Sequence, residues 1–201
     1  MIRVLLAEDE EMIRTALAAL LEREPDIEVV ATAADGTQAV ALARAHRPDV
    51  AVVDLQMPGL DGLQVVGELG RVLPSCPVAI LTGHGRPLLL RQALTSGARG
   101  FLAKGAPAAT LAEVIRRLHE GRRYVDPLLA ADALTAPPSP LTPREAEVLA
   151  AAGPDRPVRD IARMLFLSPG TVRNYLSAAT HKLGATSRSD AYRVAQDNGW
   201  I

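Results

Sequence analysis

The chain is short of several things, and each shortage excludes something. A single cysteine, Cys76, among 201 residues rules out an internal disulfide framework and any cysteine-based zinc cluster, as in a reducing compartment. Cys76 itself reads as a small buried hydrophobe. Aromatic residues are only 3% of the total, but hydrophobic residues reach 48%, which places the chain among ordinary globular proteins rather than disordered or fibrous ones. No apolar run approaches the roughly 20 residues of a membrane span. Glu8, Asp9, Glu10 and Glu11 stand where a signal peptide would need its apolar stretch, so a cytoplasmic protein without direct membrane insertion is expected. The formal net charge of −1 gives no global attraction to nucleic acid. It hides a mild split: residues 1–140 sum to −3 and residues 141–201 to +2.

The length allows one large or two small domains, and the order of patterns along the chain chooses two. Short β-branched apolar runs at residues 2–7, 27–31, 50–53, 78–81 and 100–103 read as buried strands. Amphipathic stretches at 10–23, 36–45, 62–71, 87–95 and 107–119 alternate with them. This βα repetition predicts an α/β domain, a five-stranded doubly wound parallel sheet covered on both faces. After Asp126-Pro127 a short helix to Leu134 is expected. Residues 135–140, with three prolines in six positions, then disfavour helix and strand alike and suit a semi-stiff spacer. Only helical patterns follow, at 143–151, 158–165, 169–183 and 187–198. The expected division is 1–121, a linker with a short helix over 122–140, and a small all-α domain over 141–201.

In a doubly wound sheet, functional groups collect at the carboxyl ends of the strands. The residues there are Glu8 and Asp9, Asp54, Thr82 and Lys104. Acidic groups often gather at solvated strand ends, but these residues follow successive strands. Three converging carboxylates repel unless a cation sits among them, and oxygen ligands in a partly hydrated site suit Mg²⁺. With Lys104 and Thr82 alongside, Asp54 becomes the central candidate to accept a phosphoryl group.

Asp54-Leu-Gln-Met-Pro-Gly-Leu-Asp-Gly62, the Glu8-Asp9 pair, Thr82-Gly83 and Lys104-Gly105 together resemble the receiver domain of two-component response regulators, with its flavodoxin-like fold, over about residues 1–121. The resemblance implies that Asp54 takes phosphate from a cognate sensor histidine kinase. It implies Mg²⁺ held by Asp9, Asp54 and the main-chain carbonyl of Gln56, with Glu8, where most members carry Asp, acting through a water. It further implies that Thr82 and Lys104 engage the phosphoryl group and that the Phe101 rotamer follows activation; a plain core aromatic is the other reading of Phe101. Loop resetting of this kind typically shifts equilibria by about 1–3 kcal/mol, enough to move a weak dimer across its midpoint.

In the tail, Ser168-Pro-Gly-Thr171 opens the third helix with an N-cap and a proline at the first helical position. Val172, Leu176, Ala179 and Leu183 form one apolar stripe, leaving Arg173, Asn174, Ser177 and His181 opposite. A solvated face is the ordinary explanation for such a set. Here a preceding helix and short turn complete a helix-turn-helix. Leu141-Thr-Pro-Arg-Glu-Ala-Glu-Val-Leu149, Ile161-Ala162, Gly170-Thr-Val-Arg-Asn174 and Lys182-Leu-Gly184 resemble the LuxR-type helix-turn-helix. That resemblance implies promoter DNA as partner, with Arg173, Asn174 and Ser177 in the groove and Thr171 and Lys182 on phosphate or steadying the docked helix. Gly153-Pro-Asp-Arg-Pro157 departs from the pattern, so a different start for the second helix is expected.

A tail of +2 neutralises few phosphates, so a homodimer on phosphorylation is expected. Its surface would involve the first and fifth receiver helices around Met12, Ala16, Ala108 and Ala112, although core packing is the commoner use of such residues. The combination resembles NarL/FixJ-type regulators. Thr82-Gly-His-Gly-Arg-Pro87 and residues 170–177 are similar to the subgroup typified by the regulator of a membrane-lipid desaturase. Residues 88–90, all leucine, would pack on the sheet or dock a kinase helix. Two alternatives stay open: a metal-dependent phosphohydrolase using Asp54 as nucleophile, disfavoured by Gln56 where a second aspartate would be wanted, and a receiver that no longer needs phosphate.

Overall fold

Strands β1 (Ile2–Ala7), β2 (Ile27–Ala33), β3 (Val50–Asp54), β4 (Val78–Thr82), β5 (Gly100–Ala103) and β6 (Tyr124–Val125) form one parallel sheet in the order β2-β1-β3-β4-β5-β6. The structure is a computed structural model and describes residues 1–83, 87–135 and 138–201. Part of the Thr82–Pro87 motif and of the proline-rich spacer therefore lies outside the described residues, as do the side chains of Leu88 and Ala108. All five positions of both β3 and β4 are buried, as expected of parallel strands covered on two faces.

Five strands match the expectation from the sequence. The sixth is a two-residue addition: Tyr124 and Val125 pair with Gly100 and Phe101 at the β5 edge. Two residues carry no periodicity, so no pattern announces this strand.

Helices α1 (Glu11–Leu21), α2 (Gly36–His46), α3 (Gly62–Val72), α4 (Pro87–Ser96) and α5 (Ala108–His119) connect the strands, and α6 (Pro127–Thr135) follows β6. Leu111, Ile115 and Leu118 of α5 pack with Val4, Leu6, Val50, Val52, Leu81 and Leu102 of the sheet. Each such fully buried aliphatic contributes roughly 1.5–3 kcal/mol. The chain runs from β1 to β2 on one side and to β3 on the other, so the crevice lies between the carboxyl ends of β1 and β3. Gly62 keeps it tight: a Cβ there would lie 2.4 Å from the Asp54 carbonyl oxygen, so only glycine lets α3 begin directly over the end of β3. Asp61 caps α3 through a reciprocal box with Gln64.

The described chain divides into two compact units, this α/β unit and a helical one. The helical unit contains α7 (Pro143–Ala152), α8 (Val158–Met164), α9 (Pro169–Lys182) and α10 (Arg188–Asp197). Val148, Leu149, Ile161, Val172, Leu176, Ala179, Ala191 and Ala195 make its core. The proline-rich loop does change how α8 starts: Pro157 occupies the cap position and supplies no side-chain bond. Arg188 holds the loop from α10, donating to the carbonyls of Arg156 (2.8 Å) and Pro154 (3.1 Å), and the Ser189 hydroxyl donates to Pro154 at 2.9 Å.

Candidate functional site

In the α/β unit, β1 delivers Glu8 and Asp9, β3 ends on Asp54, β4 ends on Thr82 and β5 leads into Lys104. Parallel pairing sets these ends side by side: Asp54 faces Leu81 across β3 and β4, and Thr82 faces Ala103 across β4 and β5. Carboxylate oxygens of Glu8, Asp9 and Asp54 all lie within 4.8 Å of one another. Lys104 Nζ sits 2.9 Å from Glu8 Oε1 and 3.1 Å from Asp54 Oδ2. Glu8 is 0% exposed, and its Oε2 has no hydrogen-bond partner among the described residues. A buried oxygen left so costs about 1–3 kcal/mol, more when charged.

Burial pushes the Asp54 carboxyl above its ordinary value, against the pull of the Lys104 ammonium and the Gln56 and Leu55 N–H groups. Glu8 is raised mainly by burial, with Lys104 pulling down and the Asp54 charge pushing up. Burial works against the Lys104 ammonium, but its bonds to Glu8 and Asp54 outweigh that and hold its pKa above an ordinary lysine's. Three carboxylates against one ammonium leave an excess of negative charge that a divalent cation answers. The donor set is all oxygen, Glu8 brings to it a carboxylate with one oxygen unpartnered among the described residues, and Asp9 opens it to solvent. The residues fit a hard ion.

Thr82 is buried at its strand end and Phe101 is fully buried on β5. Sequence reasoning missed Arg14, whose guanidinium donates to the Glu8 carbonyl at 2.6 Å and the Asp9 carbonyl at 3.3 Å. Its place one turn into the first helix, facing back on the strand end, was the available signal. Beside the acidic cluster, Asp9, Gln56, Met57, Pro58, Asp61 and Leu89 line a cleft of about 570 Å³. Leu90, from the leucine run, is buried.

Two expectations need correction. Met12, 80% exposed, and Ala16 face solvent rather than the core. Ala112 is buried against the sheet, so its methyl cannot serve a dimer surface.

In the helical unit, the Ser168 hydroxyl accepts from the Thr171 N–H at 3.1 Å, capping α9, and lies 2.8 Å from the Thr171 hydroxyl. Val172, Leu176 and Ala179 of α9 are buried, whereas Arg173, Asn174 and Ser177 are exposed on the opposite face. Lys182 has a partner within the unit. Its ammonium lies 2.8 Å from Glu145 Oε2, and that oxygen also accepts from the Thr142 N–H at 2.7 Å in the capping box of α7. Lys182 therefore ties the last turn of α9 to the start of α7. Glu145, its buried partner, was not singled out from the sequence, because a glutamate three residues after a threonine reads simply as a helix cap.

Fold and site define a class: a buried acidic pocket with a lysine at the strand ends of a doubly wound sheet, in a chain that also carries a helix-turn-helix. Comparison with known proteins agrees. Residues 4–116 match the response regulator receiver domain, more than half the chain, and residues 139–195 match the bacterial regulatory proteins of the luxR family. The chain is 38% identical over 201 residues, covering all of both proteins, to the transcriptional regulatory protein DesR of Bacillus subtilis. It is 37% identical over 204 residues, covering 100% of this chain and 98% of the other, to the response regulator RamR of Streptomyces coelicolor. Among solved structures, the response regulator ChrA of a heme-sensing two-component system aligns with a TM-score of 0.60 at 34% identity, covering 100% of this chain and 98% of that one. The chain belongs to the response regulators that couple a receiver domain to a LuxR-type DNA-binding domain; it is a transcription regulator rather than an enzyme.

Proposed function

We propose that Asp54 is the phosphoacceptor and that its occupation, by transfer from a sensor histidine kinase, controls binding of promoter DNA by α9. In the transfer, an Asp54 carboxylate oxygen bonds to phosphorus as the phosphorus–nitrogen bond to the kinase histidine breaks and the imidazole leaves. The reading is carried by one observation: Lys104 Nζ stands 2.9 and 3.1 Å from Glu8 and Asp54, beside a buried Glu8 oxygen that has no partner among the described residues. Lys104 is poised to exchange its bond to Asp54 for one to the phosphoryl oxygens, and the buried Thr82, whose carbonyl accepts from the Lys104 N–H, and the buried Phe101 ring three residues before Lys104 to register the exchange.

Asp9, Asp54 and the Gln56 carbonyl would hold Mg²⁺, with Glu8 acting through a water. The ion supplies positive charge to the transferring phosphoryl oxygens. Arg173, Asn174 and Ser177 suit base edges, Arg for guanine and Asn for adenine, and Thr171 the backbone. Lys182 steadies the docked helix through Glu145. The receiver takes residues 1–121, the connecting segment 122–140, into which β6 extends the sheet, and the DNA-binding domain 141–201. A phosphorylated homodimer, in the cytoplasm, brings two weakly charged tails to adjacent half-sites. Exposed Met12 and Ala16 suit that contact.

Fluorescence anisotropy on promoter DNA, with and without a small phosphodonor, on the parent and on Asp54→Ala, tests the reading. Tightening by the phosphodonor in the parent alone is expected. Equal binding in all arms would mean a receiver that no longer needs phosphate.

A further inference from the structure

The turn between α8 and α9 contains an aromatic that does nothing for the fold. Leu167 N–H donates to the Ala162 carbonyl at 2.8 Å, closing α8 in the manner of a Schellman motif. Phe166 therefore occupies the position of the left-handed residue, with φ of 54°. Glycine adopts that conformation freely and asparagine nearly so, while a bulky side chain is strained there. The usual compensation would be burial, yet Phe166 is 96% exposed. Backbone strain and an unburied ring, both at one residue, mark a group kept for contact with something else.

The surroundings say what. Arg159 and Arg163 stand four residues apart on α8, hence on one side of it. Both are exposed, and Arg159 makes no hydrogen bond or ion pair among the described residues. Met164, 48% exposed, adds apolar surface. Arg163 makes a long, exposed ion pair, 3.6 Å to Asp160 Oδ1, so an apolar tip flanked by two exposed guanidiniums, that of Arg159 unspent, complements a partner that is anionic and carries apolar edges. The tip lies two residues before the cap of α9, the helix carrying Arg173 and Asn174. In a helix-turn-helix the first helix crosses the sugar–phosphate backbone where the second enters the groove.

We infer that Phe166 packs on the deoxyribose edge of the DNA backbone beside the groove that α9 enters, with Arg159 and Arg163 on the flanking phosphates. This rests on α9 being the groove helix. The contact is sequence-independent, so it supports both non-specific and promoter binding.

The test uses the full chain and a short mixed-sequence DNA duplex at about 50 mM salt, with affinity read by anisotropy over a salt series. Phe166→Gly relieves the backbone and should melt no earlier than the parent by Trp200 fluorescence. It should bind the duplex about fivefold to tenfold more weakly at every salt concentration, with unchanged slope, because no counterion is released by a ring. Phe166→Tyr should bind like the parent, and Arg159→Gln should lower the salt slope by about one. Heparin, which has the charge without deoxyribose, should bind Phe166→Gly and the parent alike. Equal affinity of Phe166→Gly and the parent for the duplex overturns the inference, as does an equal loss on heparin. So does an unchanged DNA affinity with altered sedimentation, which would mark a protein partner. Arg173→Ala separates the two readings: if it leaves the salt slope and the promoter affinity untouched, α9 is not the groove helix, whatever Phe166 does.

Discussion

The chain contains only two lysines, one in each unit, against 20 arginines, and both are paired with a buried glutamate. The pairs differ in completeness. In the helical unit, Glu145 accepts from Lys182 and from the Thr142 N–H. These bonds, the one to Lys182 foremost, hold its carboxyl below the ordinary value. In the α/β unit, Lys104 is divided between Glu8 and Asp54, one Glu8 oxygen is unpartnered among the described residues, and both carboxyls are pushed up by burial. The first arrangement stabilises the fold; the second is strained and waits for further positive charge or for loss of a carboxylate. A satisfied pair is architecture, and a frustrated one is a site.

The contrast is broken most sharply by removing one carboxylate from each pair. Glu145→Ala takes away the partner of Lys182 and half of a capping box, and should cost the helical unit about 2 kcal/mol. Urea unfolding followed by the only tryptophan, Trp200, which packs on the helical core, reads that unit by itself. Asp54→Asn should do the opposite in the α/β unit: with a neutral side chain beside Glu8 and Lys104, its calorimetric transition should rise. If Asp54→Asn destabilises as much as Glu145→Ala, the two pairs are alike and the distinction fails.

Magnesium sharpens the same contrast. Binding to the folded state alone stabilises by RT ln(1 + [L]/Kd), about 2.7 kcal/mol at a hundredfold excess over Kd. Added Mg²⁺ should therefore raise the transition of the α/β unit and leave the Trp200 transition where it is. Asp9→Asn, which removes the exposed carboxylate of the cluster, should abolish most of the rise. An equal rise in both transitions would mean general ionic stabilisation rather than a site.

How far the sequence foretold this contrast depended on spacing. Strands of four or more apolar residues and the residues that end them were legible, because period and burial act over several positions at once. Asp54, Thr82 and Lys104 were found for that reason. What escaped was either too short or decided by distant partners: β6 has two residues, Arg14 works by facing backward on a carbonyl, and Ala112 is buried while Met12 is exposed according to which side of each helix meets the sheet. Lys182 shows the same limit. Its family position left phosphate contact and support of the docked helix both open, and the bond to Glu145, 37 residues earlier in the chain, is visible only once the fold brings the two together.

The smallest expected effect concerns pH and the satisfied pair. Because the folded-state pKa of Glu145 lies below its ordinary 4.5, the unfolded chain binds the proton more readily in acid. Stability from this group is complete above 4.5 and is lost as pH falls through the folded value. The Trp200 transition of the parent should therefore fall more steeply below pH 4.5 than that of Glu145→Gln, which has no proton to gain there. Asp190, also lowered, chiefly by the Thr186 N–H and then by Arg193, leaves a residual slope in both proteins, so the difference between the curves is the quantity to read. Parallel curves would show that Lys182 and Glu145 do not stabilise one another, and the comparison between the two lysines would lose its structural half.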